Sequence, residues 1–530
     1  MLGEFEVILT LLTLVAVLAL VNRKLGLPLP IFLVVAGLLI SLVPGLPPIR
    51  LRPDVVFILL LPPLLYPAAL STPWRDFKAN LRPILLLAIG FVLFTTLVVA
   101  FVAHRFLAEF TLGAGFVLGA IVSPPDAVAA MAVAERLRVP HRIITVLEGE
   151  SLVNDATALV AYRFAVAAVV TGAVAWKQIT VQFFVLALGG ILFGLIVGFV
   201  MTWVQKRIDD PPIEITLSLL TPFAAYLPAE RLGISGILAV VTTGLYQGWH
   251  LPEMSSSNTR LRAGSVWEMI EFVLNGFVFL LIGLQFPAVV GSLQGFSRAQ
   301  LVWYALIVSA AVILIRIVWV FPATYLPRFF FKSIRAKDPY PAWQHVAIVA
   351  WTGMRGVVSL AAALALPLQT DSHSVFPARN LILYLTFSVI IATLVIQGLS
   401  LPVMIRWLNL KEDRSMEEEE REARVAANKS ALERLDDLLG EPGADTQSAQ
   451  RLRAEYEERL NELSSQETCR TNRWGLYSEN YEQLAREALK VERQTLIHLR
   501  NKHVINDEVL RRIQRDIDLA EVRLRPSRGR

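Results

Sequence analysis

Apolar residues along this chain come in long runs separated by short charged or proline-containing segments. A helix that crosses the hydrocarbon core of a bilayer needs about 20 consecutive, mostly apolar residues. On that criterion thirteen runs are predicted as spanning helices: residues 5–21, 27–43, 54–72, 81–102, 111–134, 142–170, 178–204, 212–228, 233–249, 264–286, 299–327, 342–367 and 379–409. The run 212–228 is short and carries Glu214 and Pro222. After Asn409 the pattern changes. Lys411-Glu412-Asp413-Arg414 and the acidic run Glu417–Glu420 open a segment with Leu, Glu and Arg at helical spacing, for example Leu452, Tyr456 and Leu460. Gly440–Asp445 reads as a linker, and Trp474, Tyr477 and Tyr481 are rings that a packed tail could bury. The expected fold is all-α: a polytopic membrane protein with a transmembrane domain over 1–410 and a helical C-terminal region over 411–530.

Loop charge orients the spans, because cytoplasmic loops carry an excess of Lys and Arg. With the N-terminus outside, the inside loops hold 16 such residues and the outside loops 7. The first run follows Glu4 and Glu6 and precedes Arg23-Lys24, an order unlike a cleavable signal. An odd number of spans with a cytoplasmic tail is therefore expected. Whole-chain averages, 55% hydrophobic and 18% charged with mean hydropathy +0.53, conceal the division. Residues 411–530 hold 49 of the 95 charged side chains. The basic residues of the apolar part sit mostly in short loops, so no nucleic-acid partner is expected. The single cysteine, Cys469, excludes an internal disulfide framework.

Against this background, three polar clusters inside apolar runs carry the candidate chemistry. Ser123-Pro124-Pro125-Asp126 interrupts the fifth run. Two prolines remove two backbone donors, and in lipid such a break is tolerated only where it is buried or lines a cavity. Glu148 to Asp155 opens the sixth run; on a helix Ser151, Asn154 and Asp155 gather a hydroxyl, an amide and a carboxylate on one face. A carboxylate at membrane depth costs about 2.5–3.5 kcal/mol on the lenient insertion scale and marks a functional position by default. The bland alternative for Asp155 is a carboxylate paired with arginine or capping backbone. In the twelfth run, Gly353-Met354-Arg355-Gly356 places an arginine that needs a partner, and Glu150 is the natural one. The fifth and twelfth runs lie seven spans apart, an odd offset that inverts one relative to the other. This is the pattern of inverted repeats with discontinuous helices crossing near the midplane. Arg163, Glu268, Glu271 and Arg316 could snorkel, pair or line a path, and a pairing of Arg316 with Glu271 fits as well. No nucleophile–base pair, phosphate loop or Cys/His cluster is evident.

Ala120-Ile-Val-Ser-Pro-Pro-Asp126-Ala-Val-Ala, Glu148-Gly-Glu-Ser-Leu-Val-Asn-Asp155 and Gly353-Met-Arg-Gly356 resemble the signature segments of the monovalent cation:proton antiporter-1 family, the sodium/proton exchangers of bacteria, plants and animals. The similarity covers nearly all of 1–410, and Ile505–Ile513 resembles the tail of a bacterial subgroup. The resemblance implies a thirteen-span antiporter fold, a homodimer, and an ion site built from the fifth, sixth and twelfth spans. It makes Asp155 the alternating carrier of cation and proton, with Asp126, Ser151 and Asn154 around it. Asp155, Asp126 and Ser151 would ligate the monovalent cation, and Glu150 and Arg355 would form a structural ion pair. Two departures bear on selectivity. Many relatives have Thr-Asp-Pro where this chain has Pro125-Asp126-Ala127, and Glu at the position of Pro67.

Together these readings predict a secondary transporter of a bacterial inner membrane that serves pH homeostasis. It would exchange Na⁺, or K⁺ or Li⁺, for H⁺, with no cofactor beyond the transported ions. Burial disfavours a bare carboxylate, so a buried Asp holds either a proton or a cation. One such carboxylate beside a neutral Asn favours electroneutral exchange by alternating access. A proton-independent cation channel or uniporter using the same acidic site is the alternative. An enzyme lacks the constellation it would need.

Overall fold

The computed structural model describes residues 2–43, 55–134, 137, 139–172, 176–254, 257–293, 295–371, 374–410, 425–433 and scattered positions from 436 to 502. The chain divides into two compact units, Met1–Glu412 and Asp413–Arg530. In the second unit, residues 425–433 are helical, and Arg453 pairs with Asp436 and Glu457. The predicted linker Gly440–Asp445, Leu452, Trp474, Tyr477, Tyr481, Cys469 and the segment Ile505–Ile513 lie outside the described residues.

The first unit is built from helices: α1 (Leu2–Leu25), α2 (Leu29–Ile40), α3 (Leu61–Ser71), α4 (Trp74–Ala79), α5 (Leu81–Leu85), α6 (Val92–Phe106), α7 (Leu112–Val122), α8 (Ala127–Ala134), α9 (His141–Thr171), α10 (Trp176–Gln205), α11 (Pro211–Arg231), α12 (Gly236–Met254), α13 (Ser257–Gly291), α14 (Arg298–Phe330), α15 (Lys332–Lys337), α16 (Trp343–Trp351), α17 (Val357–Leu364) and α18 (Arg379–Leu408). π-Helical turns at Val55–Leu60 and Leu86–Phe91 lead into α3 and α6. Among the described residues, a helical segment falls at each of the thirteen predicted runs. Eight helical stretches among the described residues are long and apolar enough to cross a membrane. The other five runs are short, broken or more polar. The run 27–43, predicted to span, forms a helix of 12 residues, only about 18 Å long at 1.5 Å per residue. It starts behind Pro28 and is closed by Ser41.

Helix α10 shows why this unit belongs in lipid. Val181, Phe184, Val185, Leu188, Leu192, Ile196, Phe199 and Trp203 recur at helical spacing, and all are exposed. A continuous apolar stripe of that length is not left to water. The interior holds the polar side chains instead, Glu150, Asn154, Arg316 and Arg355 among them. Helix ends follow local chemistry. Thr111 caps α7 by accepting from Ala114 N, Asp210 caps α11 ahead of two prolines, and Gly172 closes α9 at φ 69°, in the left-handed region.

Two rods are interrupted. Residues 123–126 are non-helical between α7 and α8, and residues 352–356 are non-helical between α16 and α17. Pro124 and Pro125 account for the first break. The second is enclosed by Gly353 and Gly356. α9 packs against α7 and α8, and both α16 and α17 pack on α18. The two breaks are thereby held in one buried region.

Candidate functional site

The two breaks meet. Asp126 N donates to Met354 O at 2.6 Å, which joins the first interruption to the second through the main chain. The Asp126 carboxylate then serves two helix starts. Oδ1 accepts from Val128 N at 2.9 Å in α8, and Oδ2 lies 3.4 Å from Val357 N in α17. A helix N-terminus presents unpaired N–H groups and partial positive charge, so a carboxylate there is stabilised. Arg355 does the converse. Its Nε donates to Val122 O at 2.9 Å, in the last turn of α7, and its Nη1 donates to Gly353 O. Its own backbone N–H donates to Thr393 Oγ1 on α18 at 3.2 Å. Negative charge thus sits at two half-helix starts and positive charge at a half-helix end.

The approach is close enough to require glycine at two positions. A Cβ on Gly356 would lie 1.7 Å from Asp126 Oδ2, and one on Gly353 would lie 2.5 Å from Arg316 Cδ. Neither place has room for a methyl group.

α9 supplies the third component. Asn154 Nδ2 donates to Pro125 O at 2.9 Å, filling a carbonyl beside the break, while Asn154 Oδ1 is buried without a partner among the described residues. Glu150 and Asn154, four residues apart, are sealed at 1% and 0% exposure. Asp155 is 6% exposed, and Ser151, one turn before it, is half-buried. Asp155 therefore lies at the margin between the sealed core and a more open face. Among the described residues no hydrogen bond or ion pair engages its carboxylate. Asp126 is within electrostatic range of it. Ser151 is on the same helix and the same side, but it is not brought into hydrogen bonding with either carboxylate. Oxygens of Asp155, Asp126 and Asn154 suit a hard monovalent ion. Among the described residues no group of three or more His, Cys, Asp or Glu could hold a metal ion.

The expected Glu150–Arg355 pair is corrected by the structure. Glu150 pairs with Arg316, Oε1 accepting from Nη1 at 2.6 Å and Oε2 from Nη2 at 2.8 Å. Arg316 Nε donates to Val349 O at 3.1 Å, and the guanidinium lies 5.1 Å from the Phe91 ring centre. The physical reason is geometric. A fork-to-fork pair satisfies two donors and two acceptors at once, and Arg316 reaches it from α14 with its side chain fully buried. Arg355 stands at the ends of broken helices, where freed carbonyls are the nearest acceptors. The pairing of Arg316 with Glu271 that the sequence also allowed is not made. Arg163 pairs with Glu230 at 2.6 Å, tying α9 to α11. Thr393 and Val349 O were not singled out from the sequence, and Arg316 was noted there without its partner Glu150. A signal did exist for Arg316, the one charged residue in the apolar run 299–327.

A bundle of apolar helices, two of them broken and crossing beside a buried carboxylate, defines an ion-coupled secondary transporter. The sequence places it further: the sodium/hydrogen exchanger transmembrane family model matches residues 9–407, and the chain belongs to that family. It is 36% identical over 502 residues to a protein named an uncharacterized Na⁺/H⁺ exchanger in Mycobacterium tuberculosis, covering 93% of this chain and 91% of the other. It is 32% identical over 529 residues to a sodium, potassium, lithium and rubidium/H⁺ antiporter of Bacillus subtilis, covering 98% of this chain and 78% of that one. The fold matches the sodium proton antiporter MjNhaP1 from Methanocaldococcus jannaschii, with TM-score 0.61 and 18% identity over 77% of this chain and 99% of that one. This chain is accordingly a polytopic integral membrane protein of the antiporter class.

Two substitutions test the geometry. Glu150→Gln leaves Arg316 buried and uncompensated, which costs about 3–5 kcal/mol. A clear drop in the melting temperature of the detergent-solubilised protein is expected, and an unchanged melting curve would remove the pair from its structural role. Gly356→Ala should expel the Asp126 carboxylate from the start of α17 and abolish transport in reconstituted vesicles. Wild-type rates in that variant would show that the crossing tolerates a methyl group.

Proposed function

We propose that the chain exchanges a monovalent cation for H⁺ by alternating access, with Asp155 carrying the cation in one direction and the proton in the other. The observation that carries this reading is the nearly sealed carboxylate of Asp155, which among the described residues no hydrogen bond or ion pair engages, beside a helix crossing where Asp126, Arg355 and Arg316 each have partners of their own. Asp126 is held by backbone N–H groups at two helix starts, and Arg355 is turned to carbonyls. Arg316 is taken by Glu150. Asp155 is left to bind either Na⁺ or a proton, because burial disfavours the bare anion. Asp126 serves as a fixed anchor that adds ligand oxygen and negative potential. One exchanging carboxylate beside the neutral Asn154 supports one-for-one, electroneutral transport.

Na⁺ is the first candidate, and K⁺ and Li⁺ remain within the reading. The Bacillus subtilis relative is named for several alkali cations, and by family resemblance Pro125 and Pro67 stand where many relatives carry Thr and Glu. A homodimer in the bacterial inner membrane, with thirteen spans, the N-terminus outside and the tail in the cytoplasm, is the arrangement proposed from loop charge and family resemblance. pH homeostasis is the cellular role that fits it.

In proteoliposomes carrying a pH-sensitive dye, an inward Na⁺ gradient should drive proton release, and Asp155→Asn should abolish it. Exchange persisting in folded Asp155→Asn would remove Asp155 as the carrier. With the membrane potential clamped by K⁺ and valinomycin, Na⁺-driven proton flux should be independent of voltage, and a voltage-dependent flux would remove the one-for-one stoichiometry. Cation flux insensitive to the proton gradient would instead favour a channel or uniporter.

A further inference from the structure

Away from Asp155, four helices enclose a cavity of about 90 Å³ lined by Arg82, Arg142 and Arg328 together with Leu86, Val146 and Val349. The arginines occupy helix termini. Arg82 is the second residue of α5, Arg142 the second of α9, and Arg328 lies in the last turn of α14. The apolar lining begins one turn further in. Leu86 follows Arg82 by four residues and Val146 follows Arg142 by four, which places them about 6 Å deeper along each helix at 1.5 Å per residue. The cavity is therefore amphipathic, with guanidiniums at the helix ends and apolar side chains behind them.

Charge at the helix ends is out of balance. Arg82 and Arg142 both lie within electrostatic range of Arg328. Asp338 is shared between two of the three, accepting from Arg142 at 2.6 Å and from Arg328. Arg142 Nε donates in addition to Asn80 Oδ1 at 3.1 Å. Arg82 Nη2 is buried and has no partner among the described residues. A buried guanidinium nitrogen without an acceptor is costly, and three clustered guanidiniums around one carboxylate attract an anion. Phosphate oxygens match that demand. Basic pockets between membrane helices, opening onto an apolar wall, suit lipid headgroups.

We propose that this cavity binds an anionic phospholipid, with its phosphate on Arg82, Arg142 and Arg328 and the start of an acyl chain against Leu86, Val146 and Val349. The bound lipid would join α5, α9, α14 and α16 at one end. Of these, α9 carries Asp155, α14 carries Arg316, and α16 leads into the Arg355 break. The site would tie the ion-binding helices to the charge of the surrounding membrane.

The test uses the purified full-length protein in detergent, with lipid binding counted by native mass spectrometry and stability followed by thermal melting. Phosphatidylglycerol is expected to bind about tenfold more tightly than phosphatidylcholine, a difference corresponding to about one charge-assisted contact, and to raise the melting temperature further. Arg82→Gln should remove most of that preference. Arg142→Gln, at a side chain 49% exposed and so less exposed to folding failure, should do the same. Inorganic phosphate alone should leave the melting temperature unchanged. An undiminished phosphatidylglycerol preference in both variants would overturn the site. Equal stabilisation by phosphatidylcholine would overturn its dependence on charge, and full stabilisation by inorganic phosphate would overturn the lipid in favour of a free anion.

Discussion

The bidentate contact between Glu150 and Arg316 is the interaction on which the rest of the site depends. Both side chains are sealed from solvent, where a single unpaired charge would cost several kcal/mol. The pair satisfies both carboxylate oxygens and two guanidinium nitrogens, and Val349 O takes the third. Three helices, α9, α14 and α16, are pinned by one guanidinium. The pair also decides what is left over. An arginine held by Glu150 cannot neutralise Asp155, one residue more than a turn away on the same helix.

The same economy governs the broken helices. Interrupting a helix in a membrane exposes partial charges that lipid cannot satisfy. Here each kind is met by a side chain of the opposite sign. Asp126 sits at the starts of α8 and α17, and Arg355 at the end of α7. Such matching lets a charged residue be structural at a depth where charge is usually functional. It separates Asp126, which is engaged by backbone, from Asp155, which among the described residues is not.

Much of this was legible in the chain. The helical segments and both interruptions were readable because lipid imposes a length on apolar runs and because Pro124-Pro125 and the glycines at 353 and 356 are unambiguous breakers. The polar face of α9 followed from helical spacing. The partner of Glu150 did not. Sequence pointed to Arg355 and left Arg316 among charges that could snorkel, pair or line a path, whereas the choice rests on which helix reaches Glu150 and which arginine has carbonyls at hand. That is a fact of tertiary packing, absent from local pattern. The shortness of α2 was likewise hidden, since hydropathy continues past Ser41 while the helix does not. The arginine-lined cavity was invisible for a related reason. Its residues read as ordinary loop charges until helices distant in sequence bring their ends together.

Asn154 carries one more implication. Its Nδ2 is committed to the carbonyl of Pro125, which can only accept. A carboxylate in that place would set acceptor against acceptor unless it kept its own proton. The proline break thus demands a donor at 154, and an amide meets the demand without ever ionising. The residue type at 154 is in this sense written into the backbone of the broken helix. A titrating group here would make its proton part of the contact that holds the bend at Pro125.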